Sequence, residues 1–356
     1  MILNEDGLVG LTAIELSRLL ESLGEPPYKG KQIYHAIYAR REFNFYEMTE
    51  LSAQLRRKLE NVVRVGLPLL SALQVSRDGT RKYLLELQDG QKIESVLIPE
   101  EHRETLCIST QVGCPMDCRF CLTALMGFTR NLTVGEIVGQ ILFILKEQER
   151  SREGQPVSPK TVNVVLMGMG EPLLNFDNVT KALVLMSDRG GIGIPARRIT
   201  LSTVGLVPKI LMLAKAPVIP NLAISLSATT DEVRDRLLPI NKKYPIKTLL
   251  DACAQFSLGV RERITFEYVL IDGVNDSAAD ARRLVKLLGQ LRSKVNLLPL
   301  NLGTEGLRPS PVGRVKQFQE LLNSRGLSAT IRRPRGADIF AACGQLHRAE
   351  SRLQPV

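Results

Sequence analysis

Three cysteines on one short stretch of this chain are the residues best suited to redox chemistry. They are Cys114, Cys118 and Cys121, in a C-x3-C-x2-C spacing. Thiolates are the ligands that iron–sulfur clusters take. Three of them on one loop can hold three corners of a cubane [4Fe–4S] cluster and leave the fourth iron without a protein ligand. The spacing therefore predicts a cluster with one iron open to a small molecule.

A structural zinc site is the alternative interpretation of these cysteines. It would use Cys107 as the fourth ligand of an all-cysteine site. Structural zinc usually pairs two short knuckles of two cysteines each, whereas the sequence has one such unit. An aromatic residue, Phe120, also precedes the last cysteine. This arrangement resembles the signature of radical S-adenosylmethionine (SAM) enzymes, in which the open iron binds the amino and carboxylate groups of SAM.

The sequence around and after the cysteine loop predicts strands that alternate with helices. The predicted strands cover residues 105–109, 161–167, 198–203, 222–227, 264–270 and 294–298, and the predicted helices cover residues 133–148, 176–187, 209–214, 246–256, 278–291 and 313–324. Elements in this order form a parallel sheet with right-handed crossovers. Because six units are too few to close an eight-fold barrel, we expect an α/β fold built as a partial (βα)6 barrel.

Polar residues follow these strands at their carboxyl ends, where barrels of this kind carry their active sites. Glu171 follows the second strand and is a suitable acceptor for an ammonium group, while Gly170 lets the backbone approach a ligand closely. Small hydroxyl and amide side chains follow other strands, at Ser202, Thr203, Ser225, Ser227 and Asn301. Together they suit a ligand with ribose hydroxyls, an α-amino group and a positive sulfonium, and SAM is such a ligand.

The chain before the cysteine loop divides into two patterns. Residues 1–65 predict a small helical module whose first helix opens with a capping box of Thr12 and Glu15. Its interspersed basic residues suit an accessory RNA-binding domain, and a plain packing appendage is the alternative. Alternating apolar residues with turn dipeptides at 78–79 and 89–90 predict a β-meander. We therefore expect a helical domain at 1–65, a meander linker at 66–99 and a radical-SAM core at 100–356.

Composition limits the class of protein and of partner. Hydrophobic residues make up 44% of the 356 residues, enough for a sizeable core. No apolar run reaches the ~20 residues of a membrane span, and the first residues lack signal-peptide features, so we expect a cytoplasmic protein without membrane contact. With 47 basic and 37 acidic residues the formal charge is +10, which favours polyanionic partners such as RNA or DNA.

The other three cysteines have different surroundings. Cys253 lies on the apolar face of a predicted helix, where a buried and inert thiol is the ordinary interpretation. The same interpretation applies to Cys107 at the end of a predicted strand. Cys343 is followed by Gly-Gln and has no strong apolar pattern around it, so a reactive role is favoured there.

Over nearly its full length the chain resembles the RlmN/Cfr family of radical-SAM RNA adenosine methyltransferases. The motifs that carry this resemblance are the cysteines at 107, 114, 118 and 121, GMGEPLLN at 168–175, DEVRDRLLPIN at 231–241, DGVND at 272–276 and AACGQ at 341–345. The helical N-terminal module also looks like the accessory RNA-binding domain of that family.

The resemblance implies a role for each matching position. The cluster ligands would be Cys114, Cys118 and Cys121, and the SAM-contacting residues would be Gly170, Glu171, Ser202, Ser225, Leu226, Ser227 and Asn301. Cys343 would become S-methylated, and Cys107 would resolve a thioether crosslink between protein and RNA. Glu94 would accept a proton, although its sequence pattern alone is that of a solvent-facing strand residue.

Two positions depart from the family pattern. Many members carry His where this chain has Ser227, so a hydrogen bond from that imidazole is not expected here. Ala337 replaces an acidic residue that is common at its position, which would affect local RNA contacts and not the thiol chemistry.

The implied activity is methylation of adenosine at ring carbon C2, which is too electron-poor to attack SAM directly. A two-stage route would use two SAM molecules per turnover and end in a transient Cys107–Cys343 disulfide. The implied substrates are 23S rRNA and the adenosine beside the anticodon in tRNA, and an external reductant of the flavodoxin or ferredoxin type would supply electrons.

Three alternatives stay open at this point. Methylation at C8 is the other activity in the family, and C2 is preferred because it is the commoner one. A zinc-dependent RNA-binding protein without catalysis would use the same cysteines differently. A radical-SAM enzyme that acts on a protein or a small molecule would share the cluster but not the RNA substrate.

Overall fold

The computed structural model describes residues 7–152, 160–256, 259, 262–301 and 306–346. Its first elements are the helices α1 (Ala13–Ser22), α2 (Tyr28–Tyr38) and α3 (Ala53–Val62). The predicted capping box is present, because the Glu15 amide donates to the Thr12 hydroxyl and the Thr12 amide donates to the Glu15 carboxylate at 2.7 Å. The three predicted N-terminal helices are confirmed.

An antiparallel meander follows these helices. Its strands are β1 (Leu69–Val75), β2 (Arg81–Glu86) and β3 (Lys92–Pro99), and β3 pairs in turn with β4 (Arg103–Cys107). Both predicted hairpin turns form, with the Asp78 and Asp89 carboxylates accepting backbone N–H groups two residues on. The meander is therefore continuous with the strand that leads into the cysteine loop, and the division at residues 65 and 99 stays a prediction.

Helices alternate with strands through the rest of the chain. In chain order the elements are β5 (Gln111–Gly113), α4 (Leu122–Leu125), β6 (Phe128–Asn131), α5 (Val134–Ser151), β7 (Thr161–Leu166), α6 (Phe176–Ser187), β8 (Ile199–Thr203), α7 (Val207–Leu213), β9 (Asn221–Ser225), α8 (Asp231–Leu237), α9 (Ile246–Ala254), β10 (Ile264–Leu270), α10 (Ala278–Leu288), β11 (Ser293–Pro299), α11 (Val312–Ser324) and β12 (Ala329–Ile331). Strands β5 and β6 form a separate small hairpin.

The main sheet has the strand order β1-β2-β3-β4-β7-β8-β9-β10-β11-β12, and every pair from β4 onward is parallel. The six predicted parallel strands are confirmed, and so is the α/β architecture with its N-terminal helical region. The prediction missed β12, a seventh parallel strand of three residues that is too short to show a period of two. Because the strands are parallel, their carboxyl ends meet at one edge of the sheet.

Side chains packed on both faces of the main sheet hold the carboxyl ends of its strands in place. Inward-facing strand residues such as Leu201, Ile224 and Phe266 are fully buried, and each such side chain contributes roughly 1.5–3 kcal/mol relative to an exposed one. The N-terminal helices attach to the loop after α6, where the Tyr34 hydroxyl donates to the Asp188 carboxylate at 2.6 Å. Among the described helices, none combines the length and the apolarity that crossing a bilayer requires.

Candidate active site

A cavity lies at the carboxyl ends of the parallel strands and collects most of the predicted site residues. Eleven of them line it: Cys114, Cys118, Cys121, Gly170, Glu171, Ser202, Thr203, Ser225, Ser227, Asn301 and Cys343. Leu226 is buried next to it in the β9 loop, and Cys107 lines a second cavity that also touches Cys343. Glu94 lines neither cavity. We call the first cavity the cofactor cavity.

The cysteine loop is shaped by the small β5–β6 hairpin. Gly113 has a φ of 76°, and a Cβ atom at this position would lie 2.0 Å from the Gly127 carbonyl oxygen. Only glycine therefore permits the hairpin to close, after which the Cys114 amide donates to the same carbonyl oxygen at 2.8 Å. This close approach turns the chain from β5 into the loop that carries the three thiols.

Burial makes the three thiols poor anions in the absence of a cation. It raises the pKa of Cys114 to about 12, the pKa of Cys118 well above its ordinary value and the pKa of Cys121 as well. Backbone N–H groups of Met116 and Ala124 point at the sulfurs of Cys114 and Cys121 and partly offset this effect. A positively charged metal cluster would compensate three buried thiolates, so the donor set fits such a group.

The arrangement of the donors bears on which metal they suit. Within the described ranges, no three His, Cys, Asp or Glu side chains converge in the manner that a single metal ion needs. The ligands of a cubane bind different irons and need not converge on one point, whereas a zinc site requires four donors around one ion. Cys107, the fourth donor of the zinc interpretation, does not line the cofactor cavity. The geometry therefore suits a cluster better than zinc.

Glu171 places a buried carboxylate in the cofactor cavity. It is 2% exposed, and its two oxygens accept the backbone N–H groups of Leu173 and Val204, both at 2.9 Å. Burial raises the pKa of Glu171 to about 7, and these hydrogen bonds limit the rise. A cation bound beside this carboxylate would stabilise its charged form, as the ammonium group of an amino acid would.

Gly170 determines how closely Glu171 approaches the cysteine hairpin. Its φ is 102°, and a Cβ atom there would lie 2.5 Å from the Cβ of Gln111 in β5. The Glu171 amide donates to the Gln111 side-chain oxygen at 2.8 Å, so the glycine lets two parts of the site share one hydrogen bond. The structure thus explains this glycine by its contact with β5, and the expected approach of a ligand to Gly170 stays a prediction.

The ends of β8 and β9 supply the hydroxyl groups. Ser202 and Ser225 are half-buried on the cofactor cavity, whereas Ser227 is 1% exposed and has a φ of 49°, in the left-handed region. The carbonyl oxygen of Ser227 accepts a 2.7 Å hydrogen bond from Asn275, which belongs to the DGVND motif. This bond helps to hold an unusual backbone conformation at Ser227.

Sequence reasoning did not assign a role to Arg234, a fully buried arginine on α8. Its guanidinium donates to the Val204 carbonyl oxygen at 2.7 Å and to the Leu226 carbonyl oxygen at 3.2 Å. It also donates to the Asn241 side chain at 3.0 Å, and both residues lie in the DEVRDRLLPIN motif. Arg234 thus ties the loops after β8 and β9 together beneath the cofactor cavity. A charged residue on a short polar helix looks solvent-exposed from sequence alone, which is why it was missed.

The segment that carries Cys343 is held on one side by the β1–β2 hairpin. The Ser76 hydroxyl donates to the Asp338 carboxylate at 2.5 Å, and the Gly336 amide donates to the Asp78 carboxylate at 3.1 Å. Although burial opposes the change, hydrogen bonds from Thr80 and Gly336 lower the pKa of Asp78 to about 2. Two carboxylates therefore fasten residues 336–338 to the meander.

The same segment is held on its other side by the cofactor cavity. The Asn301 side-chain amide donates to the Cys343 carbonyl oxygen at 3.0 Å, and the Leu122 amide donates to the Gly344 carbonyl oxygen at 2.7 Å. Leu122 directly follows the last cluster cysteine. Cys343 is thereby fixed between the end of β11 and the cysteine loop.

Cys343 also borders the second cavity, which it shares with Cys107. Both cysteines are free, and burial raises the pKa of Cys107 to about 12. Arg332 directly follows β12, and its positive charge lowers the pKa of Cys107 and so counteracts this rise. The pKa of Arg332 is itself raised, chiefly by its electrostatic interaction with Cys343. No role was assigned to Arg332 from the sequence, because β12 was not predicted.

Glu94 is placed differently from its sequence pattern. It is 3% exposed on β3, and its carboxylate forms an ion pair with the buried Lys82 at 3.0 Å. The solvent-facing interpretation is therefore wrong for this residue. Lys82 also approaches the Phe340 carbonyl oxygen at 3.5 Å, so the pair lies next to the segment that carries Cys343. Cys253, in contrast, is buried in α9 away from either cavity, as expected for an inert thiol.

Family comparisons agree with this geometry. Residues 108–285 match the Radical SAM superfamily, and residues 7–65 match the ribosomal RNA large subunit methyltransferase N-terminal domain. The first match spans the cysteine loop and the strands β7 to β10, and the second spans the three N-terminal helices.

Individual proteins resemble the chain over almost its whole length. A dual-specificity RNA methyltransferase RlmN from Geobacter sulfurreducens is 49% identical over 97% of this chain and 93% of that protein. A protein of the same description from Rhodospirillum rubrum is 46% identical over 95% of this chain and 79% of its own length. The crystal structure of a radical SAM methyltransferase from Sphaerobacter thermophilus superposes with a TM-score of 0.91 at 41% identity, covering 97% of this chain and 99% of that one.

Proposed function

This chain belongs to the RlmN family of radical SAM RNA methyltransferases, and from that membership we propose that it methylates carbon C2 of adenosine in two kinds of RNA. One substrate is a specific adenosine of 23S rRNA, and the other is the adenosine beside the anticodon of tRNA. The dual specificity that names the relatives supports two RNA substrates. The expectation that the chain is an enzyme is confirmed by the family.

The position of Cys343 is the observation that carries the proposal. This thiol lines the cofactor cavity together with the three cluster cysteines, and it also lines the second cavity together with Cys107. A methyl group stored on Cys343 would thus face a cofactor on one side and a resolving thiol on the other. Methyl transfer through a protein thiol requires that the thiol reach both the methyl donor and the group that releases the product.

Three residues would hold the cluster, and a further set would hold SAM. A [4Fe–4S] cluster bound by Cys114, Cys118 and Cys121 supplies, with SAM on its open iron, a one-electron cleavage that yields a hydrogen-abstracting radical. Glu171 would accept the SAM ammonium group, and Gly170 leaves room for it. The remaining contacts would come from Ser202, Ser225, Leu226, Ser227 and Asn301.

In the first stage the Cys343 thiolate would act as a nucleophile. It would displace the methyl group of one SAM molecule, and the sulfonium sulfur would leave as a neutral thioether. The Arg332 guanidinium lines the cofactor cavity together with Cys343. A second SAM molecule would then be consumed for hydrogen abstraction, so two would be used per turnover.

In the second stage Cys343 would present its methyl-derived carbon to the electron-poor C2 atom. Glu94, which forms a buried ion pair with Lys82 at 3.0 Å, would accept the proton that leaves C2 once the adduct has lost one electron. The Cys107 thiolate would then attack the Cys343 sulfur. The bond between that sulfur and the linking carbon breaks, the carbon takes up a proton to become the methyl group, and a Cys107–Cys343 disulfide remains. A one-electron reductant of the flavodoxin or ferredoxin type in the cytoplasm would reduce the cluster, and a dithiol reductant would restore both cysteines by thiol–disulfide exchange.

Nucleoside analysis tests the proposal directly. The reconstituted enzyme is incubated with SAM, a strong reductant and either a 23S rRNA fragment or a tRNA transcript, and the RNA is digested to nucleosides. We expect 2-methyladenosine from both RNAs, measured by liquid chromatography with mass spectrometry. Formation of 8-methyladenosine would replace the proposed regiochemistry by the C8 alternative, and an unmodified digest of both RNAs would contradict the proposed function.

A further inference from the structure

The second cavity differs in chemistry from the cofactor cavity. Among the described residues, no Asp or Glu lines this cavity, whereas three arginines of the segment 332–335 line it. Ile98, Leu298 and Pro334 supply apolar walls, and the buried Cys107 and the partly buried Cys343 also line it. We call this space the thiol cavity. Its apolar walls and cationic lining suit a flat, uncharged ring that is joined to anionic groups.

The arginines of the thiol cavity divide into an inner and an outer set. Arg332 is turned inward, toward the two thiols and Glu267. Arg333 is exposed, and no carboxylate lies within ion-pair distance of it in the part of the chain that the structure describes. Arg335 has one such partner, Asp78, at a distance of 3.9 Å. The thiol cavity is therefore bordered by two arginines of which one has no ion-pair partner among the described residues and the other has a single distant one. We call the part of the cavity that they border its mouth.

We propose that the thiol cavity receives the target adenosine and that Arg333 and Arg335 bind the RNA phosphates on either side of it. This inference rests on the proposed function, because it assigns the RNA to a particular set of residues. The base enters between the apolar walls until C2 reaches Cys343, while the phosphates stay at the mouth. Extrusion of a base from folded RNA leaves its flanking phosphates exposed to such cations.

Charge also explains why the nucleotide takes this cavity and SAM takes the other. Phosphates are repelled by carboxylates, and the cofactor cavity contains the buried carboxylate of Glu171. The SAM sulfonium and ammonium would be attracted by that carboxylate. Arg332 lines both cavities, whereas Arg333 and Arg335 line only the thiol cavity and would repel a cationic ligand there. Cys343 stands at the border, so it can exchange a carbon between two ligands of opposite charge without either one crossing the other.

The test compares two exposed arginines at opposite edges of the sheet. Arg333→Gln changes the mouth of the thiol cavity, and Arg197→Gln is the matched control. Arg197 is also exposed and has no carboxylate within ion-pair distance in the described ranges, but it precedes β8 at the amino ends of the strands. Fluorescence anisotropy of a labelled tRNA anticodon hairpin gives the dissociation constant of each protein at about 0.05 to 0.3 M salt. Over this range the logarithm of the binding constant falls roughly linearly with the logarithm of the salt concentration.

We expect Arg333→Gln to weaken RNA binding roughly fivefold at 0.15 M salt and to reduce the salt slope by about one unit, the loss of one phosphate contact. Arg197→Gln should bind as the wild type does. Arg335→Gln should behave as Arg333→Gln does. Equal binding by Arg333→Gln and Arg197→Gln would overturn the inference, and so would a weaker interaction of Arg333→Gln with a flavodoxin at unchanged RNA affinity.

The same samples separate this inference from the proposed function. Digests of RNA treated with the wild-type enzyme show whether methyladenosine forms at all. Methylation by the wild type together with equal RNA affinity of the two variants would reject the arginine contacts and leave the proposed function standing. Absence of methyladenosine with the wild type would reject the proposed function itself.

Discussion

The side-chain amide of Asn301 donates a hydrogen bond to the backbone carbonyl oxygen of Cys343, at 3.0 Å. One residue thereby borders the cofactor cavity and holds the segment that bears the proposed methyl acceptor. Because the contact is to the backbone, it fixes the position of the thiol and leaves the sulfur free to react. Asn301 thus links the lining of the cofactor cavity to the placement of Cys343 through a single side chain.

Replacing this amide should slow loading of the thiol. We expect Asn301→Ala to reduce the rate of Cys343 methylation by about tenfold, because a displaced nucleophile loses its alignment with the methyl group. Mass spectrometry of the peptide that contains Cys343 measures the rate. Asn61→Ala, an exposed asparagine on α3, is the control and should keep the wild-type rate. An unchanged rate in Asn301→Ala would show that the hydrogen bond has no part in positioning.

Removal of the Cys343 thiol separates its role from that of a cluster ligand. Cys343→Ala should abolish methyladenosine formation while its iron content stays at the wild-type level, because three other cysteines hold the cluster. Iron and acid-labile sulfide assays, with the visible absorbance of the brown protein, measure this. Cys253→Ala is the control, since Cys253 is remote from both cavities. Loss of iron from Cys343→Ala would identify Cys343 as a ligand.

The residues with an explicit chemical pattern were the ones that the sequence could predict. Three cysteines at fixed spacing and a carboxylate after two glycines can be recognised from residue type and position alone. Arg234 and Lys82 do not, because a buried charged residue has the same letter as a solvated one. Their partners, a set of backbone carbonyls and the carboxylate of Glu94, come from distant parts of the chain and become visible only in three dimensions.

A side chain at Gly170 should disrupt the site. Gly170→Ala places a methyl group 2.5 Å from Gln111 at a φ of 102°, so both sterics and backbone strain oppose it. We expect a lower melting temperature by several degrees, corresponding to about 2 kcal/mol, and weaker SAM binding. Calorimetry and equilibrium dialysis measure the two effects. Gly90→Ala, in open space at a similar positive φ, is the control for backbone strain alone.

The reactivity of Cys107 should depend strongly on pH. Burial raises its pKa to about 12, above the ordinary value of 9.0, so the neutral thiol dominates at pH 8 and the thiolate fraction grows about tenfold for each pH unit. We expect alkylation of Cys107 by iodoacetamide to accelerate accordingly between pH 7 and about 9.5. Arg332→Gln removes a charge that lowers this pKa and should slow alkylation at every pH. Rapid labelling at pH 7 in both proteins would contradict the buried position.

The contact between the hairpin and the Cys343 segment should protect the thiol. Asp338→Asn weakens the hydrogen bonds from Ser76 and Arg77, which favour a charged acceptor. We expect faster alkylation of Cys343, by roughly threefold, and faster hydrogen exchange at residues 336–343. Asp251→Asn, in an exposed i,i+4 ion pair on α9, is the control. Identical exchange in the two variants would show that other contacts hold the segment.

The fold itself was largely predictable, and its gaps have physical causes. Long amphipathic helices such as α5 and α6 and strands such as β10 have clear periodicity, and the predicted ranges agree with them within a few residues. The three-residue β12 and the seven-residue α8 are too short for a period to show. The pairing of β3 with β4 depends on contacts across the sheet, so the sequence suggested a linker where the structure has a continuous extension.

The fastening of residues 336–338 to the β1–β2 hairpin joins positions about 260 apart in sequence, such as Ser76 and Asp338 at a separation of 262. A ribosome that synthesises the chain from its amino end therefore makes the hairpin and the strands β7 to β12 before it adds Cys343. The proposed methyl acceptor is thus among the last described residues to be synthesised, and its place in the fold is formed from parts of the chain made first and last.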